Sequence, residues 1–156
     1  MSDEKPMTGG CLCGAIRYEA RGAPSLSAVC HCQMCQRATG GPFLPVLFLP
    51  TDAVTVTKGS PGVYSSSSSS NRHFCRECGS PLFFERFTKS LHGIAVGSLD
   101  DPNIFKPQMH IAMESAMGWL SITDDAPRYA QKPAGMTPLV DYDPRTGQRT
   151  SRSPNT

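Results

Sequence analysis

No apolar run in this 156-residue chain approaches the roughly 20 residues that a membrane-spanning helix needs. The opening stretch, Met1 to Gly10, is polar and has no apolar segment of the kind a secretory leader carries. No repeat of solenoid length recurs. A strong charge of either sign is missing too: the formal net charge is +2. That count treats every cysteine as neutral. Seven thiolates and two divalent ions would lower it by three, to about −1. The pI of 8.2 therefore gives no argument for a nucleic-acid partner. An even number of cysteines is lacking as well. Seven cannot all pair into internal disulfides. A reducing, cytoplasmic setting is expected, and clustered cysteines there point to metal or catalysis.

What is present favours short strands over long helices. Glycine and proline occur 14 times each. The length suits one domain. We expect a flexible arm over residues 1–8, a folded domain over 9–132 and a disordered tail over 133–156, where Pro, Thr, Ser, Arg and Asp dominate. Ile16, Tyr18 and Ala20 alternate with Arg17 and Glu19, the period of a half-buried strand. Residues 33–39 suit one or two helical turns closed by Gly40-Gly41. The apolar run 43–49 contains Pro45 and reads as an edge or bulged strand. Residues 53–57 form a β-branched strand, and 82–87, 91–96 and 109–113 are further strand candidates. The serine run 65–70 reads as a solvated loop. Trp119 to Thr123 suits either a strand or a core-facing loop. The fold class is mainly β, with little helix.

The cysteines fall into three groups: Cys11/Cys13, Cys30/Cys32/Cys35 and Cys75/Cys78. Metal sites built on thiolates are normally four-coordinate. The simplest division joins the two pairs into a closed four-sulfur site and leaves the triplet open for water or a substrate sulfur. Alternatives stand beside it. The triplet could borrow a thiol from a pair, His31 could complete it, or the metal could be an iron–sulfur cluster. His31 lies between two ligands, and neighbouring side chains on extended backbone point to opposite faces.

Three motifs carry a resemblance. They are Cys11-x-Cys13-Gly14; Cys30-His31-Cys32-x-x-Cys35-Gln36-Arg37-x-x-Gly40; and Arg72-x-Phe74-Cys75-x-x-Cys78-Gly79-Ser80-Pro81-Leu82. Together with Gly97 to Pro102, His110-Ile111 and Trp119, they resemble the glutathione-dependent formaldehyde-activating enzyme family over about residues 7–130. The resemblance implies a β-tent fold, with small antiparallel sheets leaning together around a structural zinc. It assigns that zinc to Cys11, Cys13, Cys75 and Cys78, and a second, catalytic zinc to Cys30, Cys32 and Cys35. Two Zn²⁺ per chain follow. The implied reaction joins glutathione and formaldehyde to S-(hydroxymethyl)glutathione, formally a carbon–sulfur lyase running in reverse.

The expected function is thus activation of a small thiol, glutathione or another, for reversible addition to a small aldehyde. Arg37 and Arg72 are candidates to hold a substrate carboxylate, because arginine offers paired donors. Phe43 is the candidate pocket wall. His73, His92 and His110 read as packed or surface residues. The competing class is a non-catalytic zinc module for a protein or nucleic-acid partner, supported only by Arg145, Arg149 and Arg152 in the tail.

Overall fold

A computed structural model describes residues 5–87, 89–132, 143, 146–148 and 150. The strands are β1 (Met7–Gly10), β2 (Arg17–Ala20), β3 (Leu26–Cys30), β4 (Leu44–Pro50), β5 (Val54–Lys58), β6 (Gly62–Ser67), β7 (Ser70–Phe74), β8 (Pro81–Arg86), β9 (Leu91–Ala95) and β10 (Met109–Ile111). One helix, α1, spans Gln33–Thr39. The fold is the mainly β architecture expected from the sequence.

Two sheets form. The smaller has the order β1-β2-β5, and the larger β10-β3-β4-β9-β8-β7-β6. Every pairing is antiparallel except β10 with β3, which is parallel. The expected arm over residues 1–8 ends sooner than its proposed boundary. Met7 and Thr8 already pair with Ala20 and Glu19. The tail expected over 133–156 lies largely outside the described residues.

The alternation read in β2 is present. Ile16, Tyr18 and Ala20 are buried, and Tyr18 donates to or accepts from Ser98 Oγ at 2.7 Å. Strand β4 explains its own unbroken apolar run. Leu47 and Leu49 face one core, with Tyr18, Leu82, Phe83 and Ile94. Leu44, Val46 and Phe48 face a second core on the other side of the sheet, with Cys30, Cys32 and Cys35. A strand covered on both faces loses its polar alternation.

Two expectations need correction. Pro45 does not mark an edge: β4 is central, flanked by β3 and β9. Proline is tolerated because the β9 ladder begins only at Val46, so no partner there calls on its missing N–H. The serine run is not a solvated loop either. It forms the β6–β7 hairpin, and Ser66, Ser67, Ser69 and Ser70 are buried. Some of its hydroxyls bond within the hairpin. Ser69 N–H donates to Ser67 Oγ at 3.2 Å, and Ser66 Oγ donates to Ser70 O at 3.3 Å. Residues 119–123 form no strand, and Trp119 is 74% exposed. Among the described residues no helix is long and apolar enough to cross a membrane.

Candidate metal centre

The turn joining β1 to β2 meets the turn joining β7 to β8. The first carries Cys11 and Cys13, and the second Cys75 and Cys78. Their four sulfurs all lie within 4.8 Å of one another. Cys11 Sγ is 3.6 Å from Cys13 Sγ, which is 3.7 Å from Cys75 Sγ. A disulfide would need about 2.05 Å. A tetrahedron with metal–sulfur bonds of about 2.3 Å has edges of about 3.8 Å, so these spacings suit four ligands of one ion. Gly14 and Gly79 end the two turns with φ of 76° and 77°, which only glycine adopts without strain. Ile16 N–H donates to Cys11 Sγ at 3.2 Å, and Leu12 N–H donates to Ser80 Oγ at 3.0 Å. The Ser80 hydroxyl, 3.2 Å from Cys78 Sγ, draws the Cys78 thiol down to about 5. Local hydrogen bonds thus favour the thiolate at Cys78, whereas Cys13, which shares its proton with the neighbouring sulfurs, is pushed up.

The second cluster sits where β3 passes into α1. Cys30 ends β3, Cys32 is the N-cap of α1, and Cys35 lies in its first turn. Cys35 N–H donates to Cys32 Sγ at 3.4 Å. Helix and strand together bring three buried sulfurs within 4.8 Å of one another. No fourth Cys, His, Asp or Glu ligand atom joins that group among the described residues. The sulfurs compete for protons. S–H donation from Cys30, then from Cys35, holds the Cys32 thiol far below its ordinary range. Its partner Cys30 is pushed well up, first by that same bond to Cys32. A cation in the ring would take the place of those shared protons.

Arg72 reaches this cluster from β7. Its Nη2 is 3.7 Å from Cys35 Sγ, and its guanidinium lies 4.9 Å over the Phe84 ring. A small cavity of about 50 Å³ contains the three thiols, and Leu44, Arg72 and Phe84 separate it from a larger one of about 640 Å³. Arg37 lines the larger cavity from α1, and its Nε–H donates to Thr146 O. Phe43 lines neither cavity. It stacks on His31, with centroids 5.5 Å apart, and faces a third cavity beside Cys11 and Leu12. The structure thus brings the seven cysteines together in two groups, with Arg72 beside the second, and places Phe43 elsewhere.

His31 points away from the thiols, as extended backbone requires. Its Nε2 is 3.0 Å from His110 Nδ1, and His110 Nε2 is 2.9 Å from Asp124 Oδ2. A carboxylate only accepts, so His110 donates from Nε2 and accepts from His31 at Nδ1. Burial keeps His31 below its ordinary pKa. The bond from His110 holds Asp124 low. This chain fixes the residue between two of the thiols. The sequence hides it, because His31 and His110 are 79 positions apart and meet only through the parallel β3–β10 pairing. The one signal is that His110 sits inside a short apolar stretch. Asp124→Asn would leave one acceptor oxygen for two donors, so its NH₂ would face either His110 Nε2–H or the Ala126 N–H. We expect a lower midpoint in denaturant unfolding, with faster chelator removal of a metal loaded at the triplet. An unchanged midpoint would contradict this role.

The profile of the family described as "Glutathione-dependent formaldehyde-activating enzyme" matches residues 6–115, a span that takes in both clusters. The chain belongs to the glutathione-dependent formaldehyde-activating enzyme family. Two relatives fit that placement. A Halomonas elongata protein named "Putative glutathione-dependent formaldehyde-activating enzyme" is 27% identical over 128 residues, covering 74% of this chain and 80% of its own. A Schizosaccharomyces pombe protein named an uncharacterised lyase is 36% identical over 77 residues, or 49% of this chain. The match spans 55% of that relative's length. A crystal structure of a Rhodobacter sphaeroides protein shares the fold, with a TM-score of 0.51 and 23% identity, covering 63% of this chain and 94% of that one. As a member of this formaldehyde-activating family, the chain carries two cysteine clusters that could each hold a metal ion.

Proposed function

We propose that the protein is a zinc-dependent enzyme of the carbon–sulfur lyase type, which joins a small thiol to a small aldehyde and reverses the reaction. Cys11, Cys13, Cys75 and Cys78 would hold a structural zinc, and Cys30, Cys32 and Cys35 a catalytic one. The observation that carries this reading is the inequality of the clusters, four sulfurs in one and three in the other. Zinc held by three thiolates would supply an open position for a soft ligand and lower the pKa of a thiol.

In the reaction a sulfur–carbon bond forms, the carbonyl π bond breaks, and the thiol proton ends on the new hydroxyl. No electrons are gained or lost. The chain's own residues bind and orient the thiol. Arg72 offsets negative charge at Cys35, and the Leu44, Val46 and Phe48 wall excludes water from the sulfurs. Glutathione is the thiol that the family's description suggests.

The test is exchange spectroscopy of ¹³C-formaldehyde with a thiol. Protein carrying two zinc ions should speed the uncatalysed exchange, and Cys35→Ser should abolish the acceleration. Intact, fully loaded protein that accelerates exchange with no small thiol would refute the proposal and favour a non-catalytic zinc module.

A further inference from the structure

The wall between the two cavities bears on which thiol is used. Tyr64, Arg72 and Phe84 are direct neighbours across β6, β7 and β8. This row lines the 640 Å³ cavity together with Met34 and Leu44, and Thr39, Ser66 and Gln148 also line it. Apart from the guanidinium of Arg72, the residues shared by the two cavities, Leu44 and Phe84, present ring and aliphatic carbon. Arg72 is committed inward, with its guanidinium over Phe84 and one nitrogen toward Cys35. That leaves Arg37 as the remaining guanidinium lining the larger cavity, which His73 also lines, while Lys132 lines the smaller one. Among the described residues, no Asp or Glu lines either cavity.

This pattern is a poor match for a peptide thiol. Glutathione carries two carboxylates and an ammonium group. The ammonium would face guanidinium groups and, among the described residues, meet no carboxylate. An apolar body costs nothing of that kind and gains by burial.

We infer that the thiol served by the open centre has an apolar, ring-sized body and a single anionic group, which Arg37 meets, and carries no ammonium. This rests on the reading of the triplet as an open zinc centre. It places substrate choice in Tyr64, Phe84 and Arg37, apart from the sulfurs.

The probes are glutathione, 4-(sulfanylmethyl)benzoate and phenylmethanethiol, titrated calorimetrically into zinc-loaded protein. The benzoate should bind at least about tenfold more tightly than glutathione. Arg37→Gln should weaken the benzoate about tenfold and leave phenylmethanethiol unchanged, since only the benzoate presents a carboxylate. Tyr64→Ala should weaken both aryl thiols. Arg37 and Tyr64 are both exposed, so neither change threatens the fold. Equal or tighter binding of glutathione would overturn the inference while leaving the open centre standing. So would an Arg37→Gln effect equal for both aryl thiols. If none of the three bound to protein holding two zinc ions, the open-centre reading itself would fall, and this inference with it.

Discussion

Cys78→Ala is expected to leave a chain that does not fold cooperatively, whereas Cys32→Ala keeps the fold and loses one of two metal ions. The asymmetry follows from what each cluster joins. The four-sulfur cluster fastens the β1–β2 turn to the β7–β8 turn, and so the smaller sheet to the larger. Structural zinc is worth on the order of 10 kcal/mol in small peptides. A domain of this size has about 5–15 kcal/mol of stability in total. Removing one ligand from the closed site therefore removes most of what holds the sheets together. The three-sulfur cluster lies within one local turn, from the end of β3 into α1. Its loss costs the Cys32 cap and some packing, on the order of 2 kcal/mol. Metal content per chain and a denaturant curve for each variant read the two outcomes separately.

Arg72→Met should lower affinity for substrate thiols by about tenfold to a hundredfold, with both metals retained. Three thiolates and a divalent ion leave a net charge of −1, and a fourth thiolate raises it to −2. The sulfurs are buried, so that charge is poorly screened. Arg72 is the cation whose nitrogen approaches Cys35 Sγ, and a hydrogen bond to a charged group is worth about 1.5–3 kcal/mol. Methionine keeps the contact with Phe84 and removes the charge alone. Arg72→Lys should recover part of the loss, because lysine restores the charge without the planar donor pair. The readout is the pH at which the added thiol ionises on binding. It should rise in the Met variant and fall back toward the parent in the Lys variant. Equal shifts in both would point to packing and away from charge.

The cysteine clusters were legible because thiol spacing is local: a pair with one or two residues between its thiols and a glycine after it suits a tight turn. Helix α1 was legible for similar local reasons. Its bounds are Gln33–Thr39, and Gly40 takes the left-handed conformation expected of a closing glycine. The errors concern tertiary context. Pro45 looked like an edge marker, but it falls where the neighbouring ladder has not begun. Six serines looked solvated because composition alone cannot show that four of them are buried in a hairpin. The His31–His110–Asp124 chain depends on a parallel strand pair formed late in the sequence, and no local pattern signals such a pairing. Phe43 was expected beside the substrate. It packs on His31 and lines the cavity beside Cys11 and Leu12.

The unequal division of sulfur is tested most directly by zinc K-edge absorption on the intact, fully loaded chain. Two zinc ions should show an average of about 3.5 sulfur neighbours, rising to about 4 when a binding thiol is added. Four sulfurs per ion before any thiol is added, a short metal–metal distance, or a count that the thiol leaves unchanged would contradict an open three-thiolate centre.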